Sequence, residues 1–151
     1  MASKVAIVTY LLIVVNIVIF LVQPSDPLDY KHFIDNYGLV PVNIMEGKDL
    51  FTLVTFMFLH ANFLHIFLNM LFLLISGYGC ERAMGSSRFL VFYLACGILT
   101  GFLHAYINQT SSVPAIGASG AIFGVLAAFA ILFPFRWLIY LFGLIPVPIP
   151  A

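Results

Sequence analysis

The sequence has very little charge. Only 8 % of its 151 residues are aspartate, glutamate, lysine or arginine, whereas 63 % are hydrophobic. In a soluble domain about a quarter of the residues would be charged. This composition therefore argues against an ordinary soluble fold and indicates a chain that lies in a lipid bilayer. The net charge is zero, which leaves no basic surface for nucleic acid, and we expect no nucleic-acid partner.

The chain is also poor in cysteine, with only Cys80 and Cys96, and no C-x-x-C motif occurs. Neither cysteine stands at a ligand spacing from a histidine, so the sequence predicts no structural zinc site. Both cysteines fall in or near apolar segments, and we interpret them as packing residues. We expect no metal and no cofactor.

The apolar residues form long segments that predict an all-α, polytopic membrane helical bundle in a single domain, 1–151. No charged residue occurs between positions 50 and 80. As one helix this run would measure roughly 46 Å, against a hydrocarbon core of about 30 Å, so its first part is expected at the membrane interface. We place a turn at 79–87 and an interfacial or re-entrant connector, rich in proline, at 134–151. The predicted spans are about 5–22, 63–78, 89–107 and 117–133.

The few basic residues predict the orientation in the membrane. Four of the six would lie on one side of the bilayer, and the other two would lie on the opposite side among five acidic residues. The positive-inside rule then predicts a cytoplasmic amino terminus for a multi-pass integral membrane protein. The first group is Lys4, Arg82, Arg88 and Arg136.

Unusual polar residues occur where the second and fourth spans begin, which this topology places at the same depth. His65 and Asn69 are four residues apart and therefore share one helical face. Polar groups inside a span are costly, so they either join helices by hydrogen bonds or line a site; the spacing favours neither. A metal site is disfavoured, because no carboxylate is near and His60 and His65 are badly spaced for zinc.

Ser119 stands in the sequence Gly-Ala-Ser-Gly, residues 117–120, at the mouth of the fourth span. Backbone N–H groups at a helix start are unpaired, so a serine there can present its hydroxyl beside donors for a developing negative charge. The alternative is packing: Gly120 and Gly124 would form a stripe of small residues that lets another helix approach.

In combination these motifs resemble the rhomboid family of intramembrane serine proteases. The resemblance covers about residues 38–151. It depends on His60-x4-His65-x3-Asn69, on Glu81-Arg82 followed by Gly85, and on PAIGASGAIFG at residues 114–124. It implies a rhomboid-like bundle in which about four spans of a six-span core are present.

The resemblance also implies roles for individual residues. Ser119 would be the nucleophile, and Asn69 and His65 would stabilise the oxyanion together with the backbone N–H of the serine. Glu81 and Arg82 would be structural at the cytoplasmic turn. His60 would support the outer loop, and Gly117 and Gly120 belong to the structural part of the motif.

One departure from the family concerns the general base. Rhomboids use a Ser-His dyad whose histidine comes from the sixth span, and no histidine follows His104 in this sequence. The general base is therefore unknown, and among the remaining histidines only His104 lies at a suitable predicted depth. We interpret His104 as a helix-contact residue instead.

Two functions follow from the resemblance. The first is a serine endopeptidase that cleaves transmembrane protein substrates in the bilayer by acyl transfer at Ser119. The alternative is a non-catalytic rhomboid-like protein that binds transmembrane segments without cutting them. Retention of the Ser119 motif favours the first, and the missing base favours the second.

Overall fold

The computed structural model describes residues 5–134, and within them it is helical and without strands, as the sequence predicts; residues 39 and 115 form one isolated β-bridge. The proposed connector at 134–151, apart from its first residue, lies outside the described residues, as do Lys4 and Arg136. The helices are α1 (Ile7–Val22), α2 (Pro27–Tyr37), α3 (Pro41–Met45), α4 (Thr52–Thr55), a 3₁₀ turn (Phe56–Phe58), α5 (Phe63–Met84), α6 (Ser86–Ile107) and α7 (Ser119–Leu132).

Two of these helices, α5 and α6, are long and apolar enough to cross a membrane. The helices α1 and α7 are apolar but shorter. Many of their large apolar side chains are exposed, for example Leu21, Phe123 and Ile131. Lipid tails can cover such surfaces where water cannot, so this exposure fits a bundle that lies in a bilayer.

The end of α5 differs from the turn that the sequence predicts at 79–87. The helix continues to Met84, and α6 begins at Ser86, so Gly85 alone separates the two. Gly85 has a φ of +86°, a conformation that glycine adopts without steric cost. The chain thus reverses inside the predicted range, but the turn is much shorter than predicted, because a single glycine is enough to reverse the chain, and Glu81 and Arg82 belong to the helix.

The helix α7 packs against both α5 and α6, while α1 packs on α5. A side chain at Gly120 would collide with Thr100 of α6, and one at Gly124 would lie 2.5 Å from the Cys96 sulfur. The two glycines thus allow close approach of α7 to α6, as the stripe of small residues predicts.

The carboxylate of Glu81 joins three helices at one end of the bundle, which we call the Glu81 end. It accepts hydrogen bonds from the N–H groups of Val8 (2.9 Å) and Thr9 (2.7 Å) in the first turn of α1. It also accepts from the hydroxyls of Thr9 (2.8 Å) and Ser86 (2.6 Å). A negative charge here satisfies free N–H groups at a helix start, where it is also favoured by the helix dipole.

At the opposite end, which we call the Ser119 end, the loops are tied together by backbone hydrogen bonds. Leu39 and Ala115 exchange two such bonds, of 3.0 and 2.8 Å. The N–H of Gly117 donates to the carbonyl of Phe56 over 2.9 Å. These bonds hold the segment that leads into α7 against the link between α2 and α3 and against the 3₁₀ turn that precedes α5.

Candidate active site

The first part of the candidate site lies on α5. The Asn62 side chain caps this helix by accepting from the N–H of His65 over 2.9 Å, which places His65 in the first turn. Asn69 follows one turn later on the same face and is only 6 % exposed. Its amide nitrogen is buried and has no hydrogen-bond partner in the described part of the chain. A buried, unused donor is costly and calls for an explanation.

Ser119 is the first residue of α7 and lies beside His65. A side chain added at Gly117 would lie 2.9 Å from Cε1 and Nε2 of His65 and 3.7 Å from Oγ of Ser119. The imidazole and the hydroxyl therefore flank the space that the missing side chain leaves. Gly117 also has a φ of +125°, so glycine is required here for both backbone conformation and space.

Ser119 is half-buried, and its hydroxyl has no hydrogen-bond partner among residues 5–134. Its backbone N–H belongs to the first turn of α7, where N–H groups have no partner within the helix. Both groups are thus available to a ligand at the helix start.

The hydrogen bonds of His65 indicate which ring nitrogen carries its proton. Nδ1 accepts a long hydrogen bond of 3.5 Å from the N–H of Ala61. In a neutral imidazole the proton then lies on Nε2, the nitrogen near Gly117. His65 is therefore arranged to donate into this space.

His60 supports His65 from behind. The two rings meet edge to face, with centroids 5.1 Å apart and planes at 68°. The His60 side chain is completely buried, and its ring nitrogens have no partner of good hydrogen-bond geometry within residues 5–134. Burial lowers the pKa of His60 from 6.5 to about 4, and the neighbouring His65 contributes to this decrease. A contact with the Phe58 backbone has the opposite, smaller effect on the pKa. His60 is therefore neutral at physiological pH.

The structure does not bring the other predicted residues to Ser119. Glu81 and Arg82 lie at the far end of α5, where the Arg82 guanidinium is exposed over the ring of Tyr78. His104 is exposed on α6, with its Nδ1 3.5 Å from the amide nitrogen of Asn108, and no hydrogen bond joins it to Ser119 within residues 5–134.

Sequence reasoning missed three residues that hold these groups in place. Thr9 and Ser86 bind the Glu81 carboxylate, and Gln23 binds the backbone of His60. Each is a polar residue at or near the end of an apolar segment, and this position was the only feature of the sequence that could have indicated a role. It reveals the depth of a residue in the bundle but not its partner.

Together these groups suit the stabilisation of a negative charge that develops beside Ser119. Three kinds of neutral hydrogen-bond donor are present: the His65 imidazole, the Asn69 amide and the first N–H groups of α7. The Asn69 amide nitrogen has no acceptor within the described chain. Neutral donors in a water-poor site stabilise an oxyanion without the cost of burying a charge. The general base is not among these groups.

Comparison with known proteins gives a consistent result. The family model for the Rhomboid domain matches residues 47–150. The chain is 36 % identical over 121 residues to the rhomboid protease GluP of Bacillus subtilis, a match that covers 80 % of this chain and 23 % of that protein. It is 32 % identical over 138 residues to the rhomboid protease AarA of Providencia stuartii, with 80 % of this chain and 48 % of that protein covered.

A eukaryotic relative matches at a similar level. The mitochondrial Rhomboid protein 1 of Saccharomyces cerevisiae is 31 % identical over 121 residues, covering 77 % of this chain and 34 % of that protein. The chain thus spans between about a quarter and a half of the length of these three relatives.

Proposed function

Because this chain belongs to the rhomboid family, we propose that it forms the nucleophile and oxyanion part of an intramembrane serine endopeptidase that cleaves transmembrane protein substrates. The observation that carries the proposal is the unused, buried amide nitrogen of Asn69, which lies one helical turn after His65, the residue whose ring lies beside Gly117 and Ser119. A structural asparagine would use this donor, whereas an oxyanion donor must keep it free.

The proposed reaction is acyl transfer. The oxygen of Ser119 attacks the carbonyl carbon of the scissile peptide bond, and its proton passes to a general base. The negative charge that forms on the carbonyl oxygen is then stabilised by Nε2–H of His65, by the amide of Asn69 and by the backbone N–H of Ser119. Collapse of this intermediate expels the amine, which takes the proton back from the general base, and a water molecule that the base deprotonates then hydrolyses the acyl-enzyme and releases Ser119.

The general base remains unassigned in this proposal. His65 does not suit the role, because the hydrogen bond from Ala61 to its Nδ1 leaves the proton on the nitrogen that faces Ser119. The rest of the relatives' length lies beyond the part that this chain matches. The part that this chain matches therefore does not identify the base.

We place the Ser119 end toward the outer side of the membrane, with the amino terminus in the cytoplasm. Five acidic residues and two lysines occur in the segment that connects α1 to α4 at the Ser119 end, whereas Arg82 and Arg88 lie at the Glu81 end. This distribution follows the positive-inside rule. Substrate helices would then be cut near their outer ends.

A matched pair of serine variants tests this function. We expect the full-length protein to cleave a fluorescent transmembrane substrate in detergent or liposomes, and Ser119→Ala to reduce the rate by more than about a thousandfold. Ser112→Ala, which changes an exposed serine of the loop before α7, should leave the rate unchanged. Equal rates for Ser119→Ala and the parent would contradict the proposal, and binding of the substrate without cleavage in all three would support a non-catalytic rhomboid-like protein.

A further inference from the structure

Gln23 stands at the end of α1 and binds one residue by both of its backbone groups. Its side-chain nitrogen donates to the carbonyl of His60 over 2.8 Å, and its side-chain oxygen accepts from the N–H of His60 over 3.0 Å. Only one orientation of the amide satisfies both bonds, so the positions of its oxygen and nitrogen are determined. His60 belongs to the short link between the 3₁₀ turn and α5, which has no helical ladder of its own.

The carbonyl that Gln23 binds is part of the peptide group that leads to His65. The C=O of His60 and the N–H of Ala61 belong to one planar unit, so fixing the carbonyl also fixes the direction of the N–H. That N–H is the donor to Nδ1 of His65. Bonds in such a chain polarise one another, so the donor from Gln23 strengthens the bond to His65.

A second route from Gln23 to His65 runs through the His60 ring. This ring has no side-chain or backbone anchor of good hydrogen-bond geometry within residues 5–134, so its position depends on the backbone that Gln23 holds. The ring in turn packs edge to face against His65. Movement of the His60 backbone would therefore shift the His65 ring as well as the donor to its Nδ1.

We infer that Gln23 is a positioning residue for the proposed reaction: through the peptide group between His60 and Ala61 it holds the proton of His65 on Nε2 and directs it toward the oxyanion. This inference rests on the proposed function only for its kinetic consequence. The effect of Gln23 on the protonation and orientation of the His65 ring is a property of the resting protein.

Three variants of the full-length protein separate positioning from general stability. Gln23→Met keeps the length of the side chain but removes both hydrogen bonds. Gln23→Glu still accepts from the N–H of His60 but cannot donate to its carbonyl. Thr9→Val removes a buried hydrogen bond at the other end of α1 and so provides a structural control, while Gln109→Met changes an exposed glutamine.

The first readout is nitrogen-15 NMR of the histidine rings, which distinguishes the two neutral forms of imidazole. We expect Gln23→Met and Gln23→Glu to shift the His65 ring away from the Nε2–H form, whereas Thr9→Val and Gln109→Met leave it unchanged. The second readout is peptide cleavage, for which both Gln23 variants should lower kcat about tenfold at an unchanged KM.

Two results would overturn the inference. One is an unchanged His65 signal in Gln23→Met, and the other is an equal change in Thr9→Val, which would make the effect one of stability. If Ser119→Ala cleaves as fast as the parent, the proposed protease function fails, but the NMR comparison still decides the role of Gln23.

Discussion

The two ends of the bundle differ in whether their buried polar groups are hydrogen-bonded. At the Glu81 end one carboxylate accepts four hydrogen bonds from two helix starts, and these donors are thereby used. At the Ser119 end the amide of Asn69, the ring of His60 and the hydroxyl of Ser119 lie at least partly buried without such partners in the described chain. A satisfied buried network stabilises the fold, whereas unused buried groups cost stability and indicate a site that acts on something else.

The largest expected effect concerns stability at the Glu81 end. Glu81→Ala leaves the donors of Val8, Thr9 and Ser86 unpaired, and we expect it to lower the free energy of unfolding by about 4 kcal/mol. The neighbouring Arg82→Ala removes only an exposed contact with Tyr78 and should cost less than about 1 kcal/mol. Reversible unfolding in detergent micelles measures both. Equal losses would show that the Glu81 carboxylate does not hold the helix starts together.

The next effect concerns activity at the Ser119 end. Asn69→Leu removes a donor that has no partner in the resting protein, so we expect kcat to fall about a hundredfold while stability does not decrease. Asn16→Leu is the matched control: Asn16 is equally buried in a helix, but its amide nitrogen already donates to the carbonyl of Leu12. If Asn16→Leu lowers kcat as much as Asn69→Leu, the contrast between the two asparagines is wrong.

The smallest expected effect is a dependence of stability on pH that comes from His60. Its pKa is lowered to about 4 in the folded chain, so the unfolded chain takes up the proton first as the pH falls. This group therefore leaves stability unchanged above about pH 6.5, lowers it progressively between pH 6.5 and about 4, and causes no further change below that.

Two histidine variants check this pH dependence. When the free energy of unfolding is measured from pH 7.5 to 4, His60→Phe should lack the part of the pH dependence that comes from His60. The slope should persist in His104→Phe, because His104 is exposed on α6. A slope that is the same in His60→Phe and the parent would mean that His60 is not held neutral by burial.

The sequence was informative about depth in the bundle. We predicted His65, Asn69 and Ser119 near one end of the bundle from the uncharged run, the glycines and the polar residues at the start of two spans. The structure puts His65 and Ser119 on either side of Gly117. The glycine stripe against α6 also followed from residue size alone.

The partners of these residues were not predictable in the same way. In a bilayer the lipid-facing and core-facing sides of a helix are both apolar, so the sequence pattern does not reveal how α1 is rotated against α5. The bonds from Thr9 to Glu81 and from Gln23 to His60 join residues 72 and 37 positions apart and depend on that rotation. The length of α5 was misjudged because its last turns contain Gly79, Glu81 and Arg82, which resemble a surface turn.

Labelling by a serine-reactive fluorophosphonate tests most directly whether the unused groups at the Ser119 end form a reactive centre. Peptide mapping of the labelled full-length protein should locate the phosphonyl group on Ser119, with a strongly reduced labelling rate in Asn69→Leu and an unchanged rate in Asn16→Leu. Labelling on another residue, or equal labelling of Ser119→Ala and the parent, would contradict the account.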